Sequence, residues 1–134
     1  MRVLDLARRL GVTADTVRFY TRKGFLLPER DAHNGYREYS QSDLRRLRFI
    51  LGARQLGFSV DDIKQLLKQA DAGKTPCPLA RNLIEKRIDE IERRFADTAQ
   101  LLERMRFAVE EWRRRPDREP TGKTICHLIE DHSS

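Results

Sequence analysis

Two cysteines, Cys77 and Cys126, and three histidines, His33, His127 and His132, supply the soft and nitrogen donors of this 134-residue chain. Thiolates bind soft and borderline metal ions, and they also react with oxidants and electrophiles. Two cysteines are too few for a disulfide framework, so in a reducing compartment both are expected as free thiols or metal ligands. The plainer reading of each is a small buried apolar residue, and at this point both readings stand. His127 follows Cys126 directly and is a candidate second ligand, whereas His33, in a turn, and His132, in the tail, read as surface residues. There is no Gly-rich phosphate loop, HExxH, GxSxG or pair of CxxC motifs, and no nucleophile can be matched to a base. An enzyme is therefore not expected, and no catalytic residue is assigned.

The second kind of chemistry is electrostatic. The net charge is +6, and residues 1 to 60 hold 12 Lys/Arg against 6 Asp/Glu, while the remainder balances 15 against 15. A one-sided excess of this kind is the footprint of a nucleic-acid-binding module. Within it Thr16, Arg18, Tyr20, Arg22 and Lys23 alternate with the apolar Val17 and Phe19. Arg18 has a planar fork that can pair with guanine edges or grip a phosphate. Tyr20, Arg22 and Lys23 are expected on phosphates, as are Tyr36 and Arg37, which give affinity and register rather than discrimination. The alternative is a set of solvated surface charges.

These groups need elements to position them. Val3, Leu6, Ala7 and Leu10 form the stripe of a short helix that Gly11 ends, and Thr13 caps a second helix running to Gly24. Two short helices across a glycine turn read as helix-turn-helix. Asn34-Gly35 predicts a type I′ hairpin turn, with Tyr36 to Tyr39 as its second strand, hence a wing. Ser40 with Asp43 and Ser59 with Asp62 each predict a capped helix start. The helices they open, with Leu44, Leu47, Leu51 and Ile63, Leu66, Leu67, should close a four-helix core, and Phe19, Phe49 and Phe58 sit at core-like positions.

Beyond the Gly/Pro-containing break from Asp71 to Pro78 the period changes. Ile84, Ile88, Ile91, Phe95, Thr98, Leu102, Met105, Val109 and Trp112 step by four and three, the a/d seam of a coiled coil about 43 Å long. A head of some 70 residues is too small to cover that stripe, so a second copy of the chain is expected on it, and a two-fold dimer calls for a pseudo-palindromic DNA site. The expected organisation is a head over 1–72, a linker and helix start over 73–80, a dimerisation helix over 81–115, and a loop with a short terminal helix over 116–134. No apolar run approaches a membrane span and the N-terminus does not read as a signal, so a cytoplasmic protein with no membrane partner is expected.

TVRFYTRKGFL at 16 to 26, NGYREYS at 34 to 40, LRFILGARQLGFSVDDIKQLL at 47 to 67 and CHLIE at 126 to 130 resemble the MerR family of bacterial transcription regulators, in its heavy-metal-responsive branch. The resemblance implies an all-α fold with a small β-wing: a winged helix-turn-helix head plus a long antiparallel coiled-coil dimerisation helix. It implies a dimer on double-stranded promoter DNA, with RNA polymerase at the same promoter, that distorts an overlong spacer when an inducer binds. Arg18, Tyr20, Tyr36 and Arg37 match positions that contact DNA. The inducer site would lie at the ends of the dimer helix, Cys77 matching the ligand from one protomer and Cys126 a loop ligand from the other.

Cysteine at the first of these positions goes with divalent inducers, here zinc, cadmium, lead or mercury, and serine with monovalent ones. The chain departs from the pattern in having no cysteine from Arg113 to Ile125. His127 or a water would then complete the site, or two ligands would suffice, or the inducer is not a metal. Two other functions compete: the same regulator sensing oxidants or electrophiles through its thiols, and a coiled-coil adaptor whose basic head binds protein or RNA.

Overall fold

The computed structural model describes residues 1–133. In chain order it has α1 (Val3–Leu10), α2 (Ala14–Arg22), β1 (Glu29–Arg30), β2 (Arg37–Glu38), α3 (Gln41–Gln55), α4 (Val60–Asp71), α5 (Cys77–Trp112) and α6 (His127–Ser133). The chain divides into two compact units, Met1–Arg87 and the residues from Ile88 onward. No helix among the described residues is long and apolar enough to cross a membrane.

In the first unit the helix starts follow from hydroxyl and carboxylate caps. Thr13 Oγ1 accepts the Thr16 amide at 3.1 Å. Ser40 Oγ accepts the Asp43 amide at 3.1 Å while Asp43 accepts the Ser40 amide at 3.0 Å, and Ser59 and Asp62 repeat the exchange at 3.0 Å each way. Each exchange satisfies amides that the helix itself leaves unpaired. Gly11 ends α1 at φ 67°, a conformation that costs other L-residues a Cβ clash.

Leu6 of α1, Val17 of α2, Leu26, Leu47 and Ile50 of α3, and Ile63 of α4 are fully buried and form the centre of the expected four-helix core. Two positions differ from expectation. Ile50 rather than Leu51 joins Leu47 in the deepest places on α3, with Leu51 at the rim. Phe58 is buried and Phe19 half-buried, but Phe49 is 41% exposed and lies outside the core.

The wing is present without the turn that Asn34-Gly35 predicted. Glu29 pairs with Glu38 and Arg30 with Arg37, which leaves residues 31–36 as a six-residue connection. Gly35 has φ 71°, yet no non-glycine residue among those described has a positive φ, so Asn34 is not in the left-handed conformation that a type I′ turn requires. Asn34 works through its side chain instead: its Oδ1 accepts the Tyr36 amide at 2.9 Å, and Asp31 Oδ1 accepts the His33 amide at 2.8 Å. These local bonds widen the loop. The second strand is confined to Arg37 and Glu38, and Tyr39 turns inward, its hydroxyl 2.7 Å from Thr21 Oγ1.

The first residues of α5 belong to the head. Leu79, Ala80, Leu83 and Ile84 pack against its core, so Ile84, expected in the dimer seam, is engaged within its own protomer. Arg87 locks this arrangement: its Nε and Nη2 donate to the two carboxylate oxygens of Asp62 at 2.7 and 2.9 Å, and Nη2 also donates to Ser59 Oγ at 3.1 Å. Asp62 is buried, and the Arg87 hydrogen bonds hold its carboxyl down to about 2. The capping residue of α4 is thus also the anchor of α5. Sequence spacing put the long helix at 81–115 and ended the head at 72, whereas the helix is Cys77–Trp112 and the first compact unit runs to Arg87.

In the second unit α6 covers Ala108 of α5, the buried apolar residue there. Leu101, Met105, Val109 and Trp112 of α5 and Ile129 and His132 of α6 line one apolar groove, with the Trp112 and His132 rings edge to face at 6.4 Å. Ile88, Ile91, Phe95, Leu102 and Met105 of the seam are exposed in the single chain, as is Thr98.

Candidate nucleic-acid interface and thiol positions

The start of α1, α2 and the wing enclose a cleft lined by Arg2, Arg8, Arg18, Arg30, Tyr36 and Arg37. Arg18 projects from α2 with its Nη1 3.0 Å from Asp15 Oδ1, and both side chains are largely exposed. Such a pair is screened by water and salt and is readily exchanged for a stronger anion. Arg2 lies over the Tyr36 ring at 4.6 Å, and Arg30 Nη1 donates to the Gly35 carbonyl at 3.0 Å, so the wing loop is braced by the same cations that surround it. Five guanidinium groups face the cleft against the single carboxylate of Asp5 in its lining, which leaves it net positive.

Of the residues expected to contact DNA, Arg18, Tyr36 and Arg37 are brought together in this cleft. Arg22 and Lys23 are exposed at the far end of α2 and do not line it. Thr16 is half-buried, its Oγ1 3.0 Å from Thr13 Oγ1, which makes it part of the α2 cap. Tyr20 has its ring in the core: the residue is 6% exposed, stacked on Phe25 at 6.0 Å and edge-on to Phe19 at 4.9 Å, which leaves only its hydroxyl for the expected phosphate contact. The helical period turns this ring into the core, and the apparent alternation of polar and apolar residues did not show that. Arg2, Arg8 and Arg30 were missed, because they come from α1 and β1, outside the helix and strand that carry the recognisable motifs; the basic excess of the first half was their only signal.

Cys77 opens α5 and is exposed, its amide donating to Thr75 Oγ1 at 3.3 Å. It borders an apolar groove formed by Phe49, Leu56, Phe58, Leu66 and Ala80, in which Arg48 is the charged neighbour. Cys126 is half-buried immediately before α6. Its amide donates to Glu130 Oε2 at 2.9 Å, and the Ile125 amide donates to the same oxygen at 3.0 Å.

His127, the expected second ligand, is buried and its ring is engaged within its own loop. Its Nε2 lies 3.0 Å from the Pro116 carbonyl, which can only accept, so that nitrogen is protonated. Its Nδ1 lone pair then faces the Arg115 Nη2 donor at 3.1 Å. Both ring nitrogens are occupied within the loop. Arg115 also donates to Asp131, and that hydrogen bond holds the Asp131 carboxyl below its ordinary range. No group of three or more His, Cys, Asp or Glu side chains placed to hold a metal occurs among the described residues.

Residues 1–70 match the family described as MerR HTH family regulatory protein, and residues 44–107 match MerR, DNA binding. The regulator ZntR of Escherichia coli K12 is 38% identical over 97 residues, 72% of this chain and 69% of that protein. The mercuric resistance operon regulatory protein of Pseudomonas fluorescens is 38% identical over 95 residues, 71% of this chain and 65% of its own length. Among solved structures, PbrR691 of Ralstonia metallidurans CH34 in complex with lead(II) superposes with a TM-score of 0.72 at 25% identity, covering 97% of this chain and 98% of that one. EcmrR in its DNA complex in EcmrR-RPo superposes at 0.65 with 27% identity, over 86% of this chain and 40% of that one.

Proposed function

The chain belongs to the MerR family of helix-turn-helix transcription regulators, and from that premise we propose that it acts as a homodimer that binds a pseudo-palindromic promoter site and distorts the spacer DNA in response to a metal ion. The arginine cleft between α1, α2 and the wing is the observation that supports the DNA reading most directly. Its width of charge suits a phosphate backbone, and Arg18 is the member placed on the second helix of the helix-turn-helix, the one that enters the major groove in such motifs. RNA polymerase is the proposed partner at the promoter, in keeping with the EcmrR complex.

The metal reading draws on relatives named for mercuric resistance or bound to lead(II). In this chain the proposed inducer ligands are Cys77 of one protomer and Cys126 of the other. Thiolates fit soft and borderline ions, and the metal supplies the charge that would draw the two cysteines together. His127 is left out of the proposed ligand set, because it holds the loop through Arg115 and Pro116.

Selection from a random duplex pool, followed by affinity measurement against salt, tests the DNA reading. A recovered inverted repeat with a steep salt slope is expected; binding indifferent to sequence would favour the adaptor. Arg18→Ala is expected to weaken the selected site by about 1–3 kcal/mol, five- to 150-fold, with metal binding intact. Unchanged affinity would remove Arg18 from the groove. Cys126→Ser is expected to abolish the metal response in a reporter assay while leaving operator affinity within about twofold of the parent, since the residue lies outside the cleft. A mutant that still responds normally would refute the site.

A further inference from the structure

We infer that Asp15 is a second base-reading residue of α2, one that selects a cytosine near the guanine read by Arg18 and rejects thymine and guanine at that position. This rests on the proposed DNA-binding function and names the bases its second helix admits. Asp15 lies in the first turn of α2, the part of a recognition helix that meets base edges. It stands three residues before Arg18, so the two side chains share one face of the helix. Its carboxylate is 92% exposed, and its Oδ1 accepts from Arg18 Nη1 at 3.0 Å. Other carboxylates of the cleft and wing are tied into the fold: Asp5 accepts the Arg2 amide at 3.1 Å at the start of α1, and Asp31 accepts the His33 amide at 2.8 Å. Asp15 has no such duty. Thr13 already caps α2 through the Thr16 amide, and among the described residues the hydrogen-bond partner of Asp15 is Arg18.

A carboxylate on a face that meets phosphates weakens every DNA complex it enters. That penalty is offset only where the carboxylate meets a hydrogen-bond donor. In the major groove thymine presents its O4 acceptor, and guanine presents the acceptors O6 and N7. Adenine sets its N6 amine beside the acceptor N7, whereas cytosine presents the N4 amine alone. Cytosine is therefore the base whose edge offers a carboxylate a donor with no acceptor next to it. When Arg18 turns to guanine, Asp15 is left facing the base edges beside it. A cation that takes acceptors is thus coupled to an anion that repels them, and the repulsion adds discrimination that arginines alone do not supply. Side chains three positions apart on a helix stand about 5–6 Å from one another, against about 3.4 Å between base pairs, so the two residues read separate base pairs.

The test applies selection from a random duplex pool to the full-length parent chain and to Asp15→Ala, Asp15→Asn and Arg18→Ala. Each half-site of the parent is expected to hold a guanine position that Arg18→Ala loses and a cytosine position nearby. Asp15→Ala should keep the guanine and lose the cytosine. The penalty for thymine there, about five- to 150-fold in the parent, should fall to within about twofold. Asp15→Asn should admit guanine and thymine at the same position, because its amide adds a donor. Both Asp15 variants should bind duplexes lacking the site more tightly than the parent at equal salt, since a charge that repels phosphates is gone. A cytosine preference intact in both variants would overturn the inference, as would a loss of affinity equal for all duplexes, the result expected if Asp15 only steadied α2. Loss of the guanine preference together with the cytosine would make Asp15 a positioning residue for Arg18 and overturn its reading role. A parent chain that selects no sequence would overturn the DNA-binding reading itself, and the inference with it.

Discussion

Replacing Arg87 with methionine is expected to destabilise the protein by about 3 kcal/mol, the low end of the cost of breaking a buried ion pair. The substitution keeps the aliphatic stem that packs beside α4 but removes both charge-assisted bonds to Asp62, a carboxylate 3% exposed at its side chain. The cost stays at the low end because Ser59 still donates its amide to Asp62. The pair also leaves a signature in pH. The Asp62 carboxyl titrates at about 2 instead of the ordinary 3.8. A depressed carboxyl contributes stability that is full above the unfolded value and is lost as pH falls through the folded one. The shift corresponds to about 2 kcal/mol that disappears between roughly pH 4 and pH 2. Urea unfolding at fixed dimer concentration should show this slope in the parent chain and its loss in Arg87→Met. The double variant Asp62→Asn with Arg87→Met should recover part of the deficit, because no uncompensated charge remains. A single-variant cost below about 1 kcal/mol would mean that the clamp is not what fastens α5 to the head.

The parts of the fold written in local sequence were legible. Thr13, Ser40 and Ser59 mark helix starts because capping involves residues two or three positions apart, and each cap is found where spacing put it. What failed depended on partners distant in sequence or on a choice between two local bonds. Asn34-Gly35 is compatible with a two-residue turn, but the side chains of Asp31 and Asn34 bond the backbone first and hold a six-residue loop. That the start of α5 packs on the head was not legible, because the Arg87–Asp62 pair spans 25 residues and has no periodic trace.

The candidate site shows the same division. Arg18, Tyr36 and Arg37 stand in recognisable motifs, whereas Arg2, Arg8 and Arg30 join them only through tertiary placement. Tyr20 reads as polar by type, yet its ring is a core surface, and pattern alone cannot tell which part of a tyrosine a position uses. His127 beside Cys126 reads as a ligand by chemistry and adjacency. Its engagement with Arg115 and Pro116, twelve and eleven residues earlier, is invisible until the loop is folded.

Phe95→Glu is expected to dissolve the proposed dimer. Phe95 is 78% exposed in the single chain, an extent that a phenylalanine in the middle of an apolar seam keeps only if another surface covers it. Ile88, Ile91, Leu102 and Met105 continue the stripe on either side at four- and three-residue steps, all of them exposed. Burying a phenylalanine side chain is worth about 1.5–3 kcal/mol, and two-fold symmetry introduces the change twice. The loss of about 3–6 kcal/mol raises the dimer dissociation constant by roughly two to four decades. DNA affinity should fall with it by about 10²- to 10⁴-fold, since each head then binds a half-site alone. Phe107→Glu is the matched control: Phe107 is 62% exposed but lies off the seam, five positions beyond Leu102, so its variant should remain a dimer. Sedimentation of both variants at micromolar concentration separates the possibilities. A dimeric Phe95→Glu would show that the seam is not the interface, and a monomeric Phe107→Glu would place the interface on the opposite flank of α5.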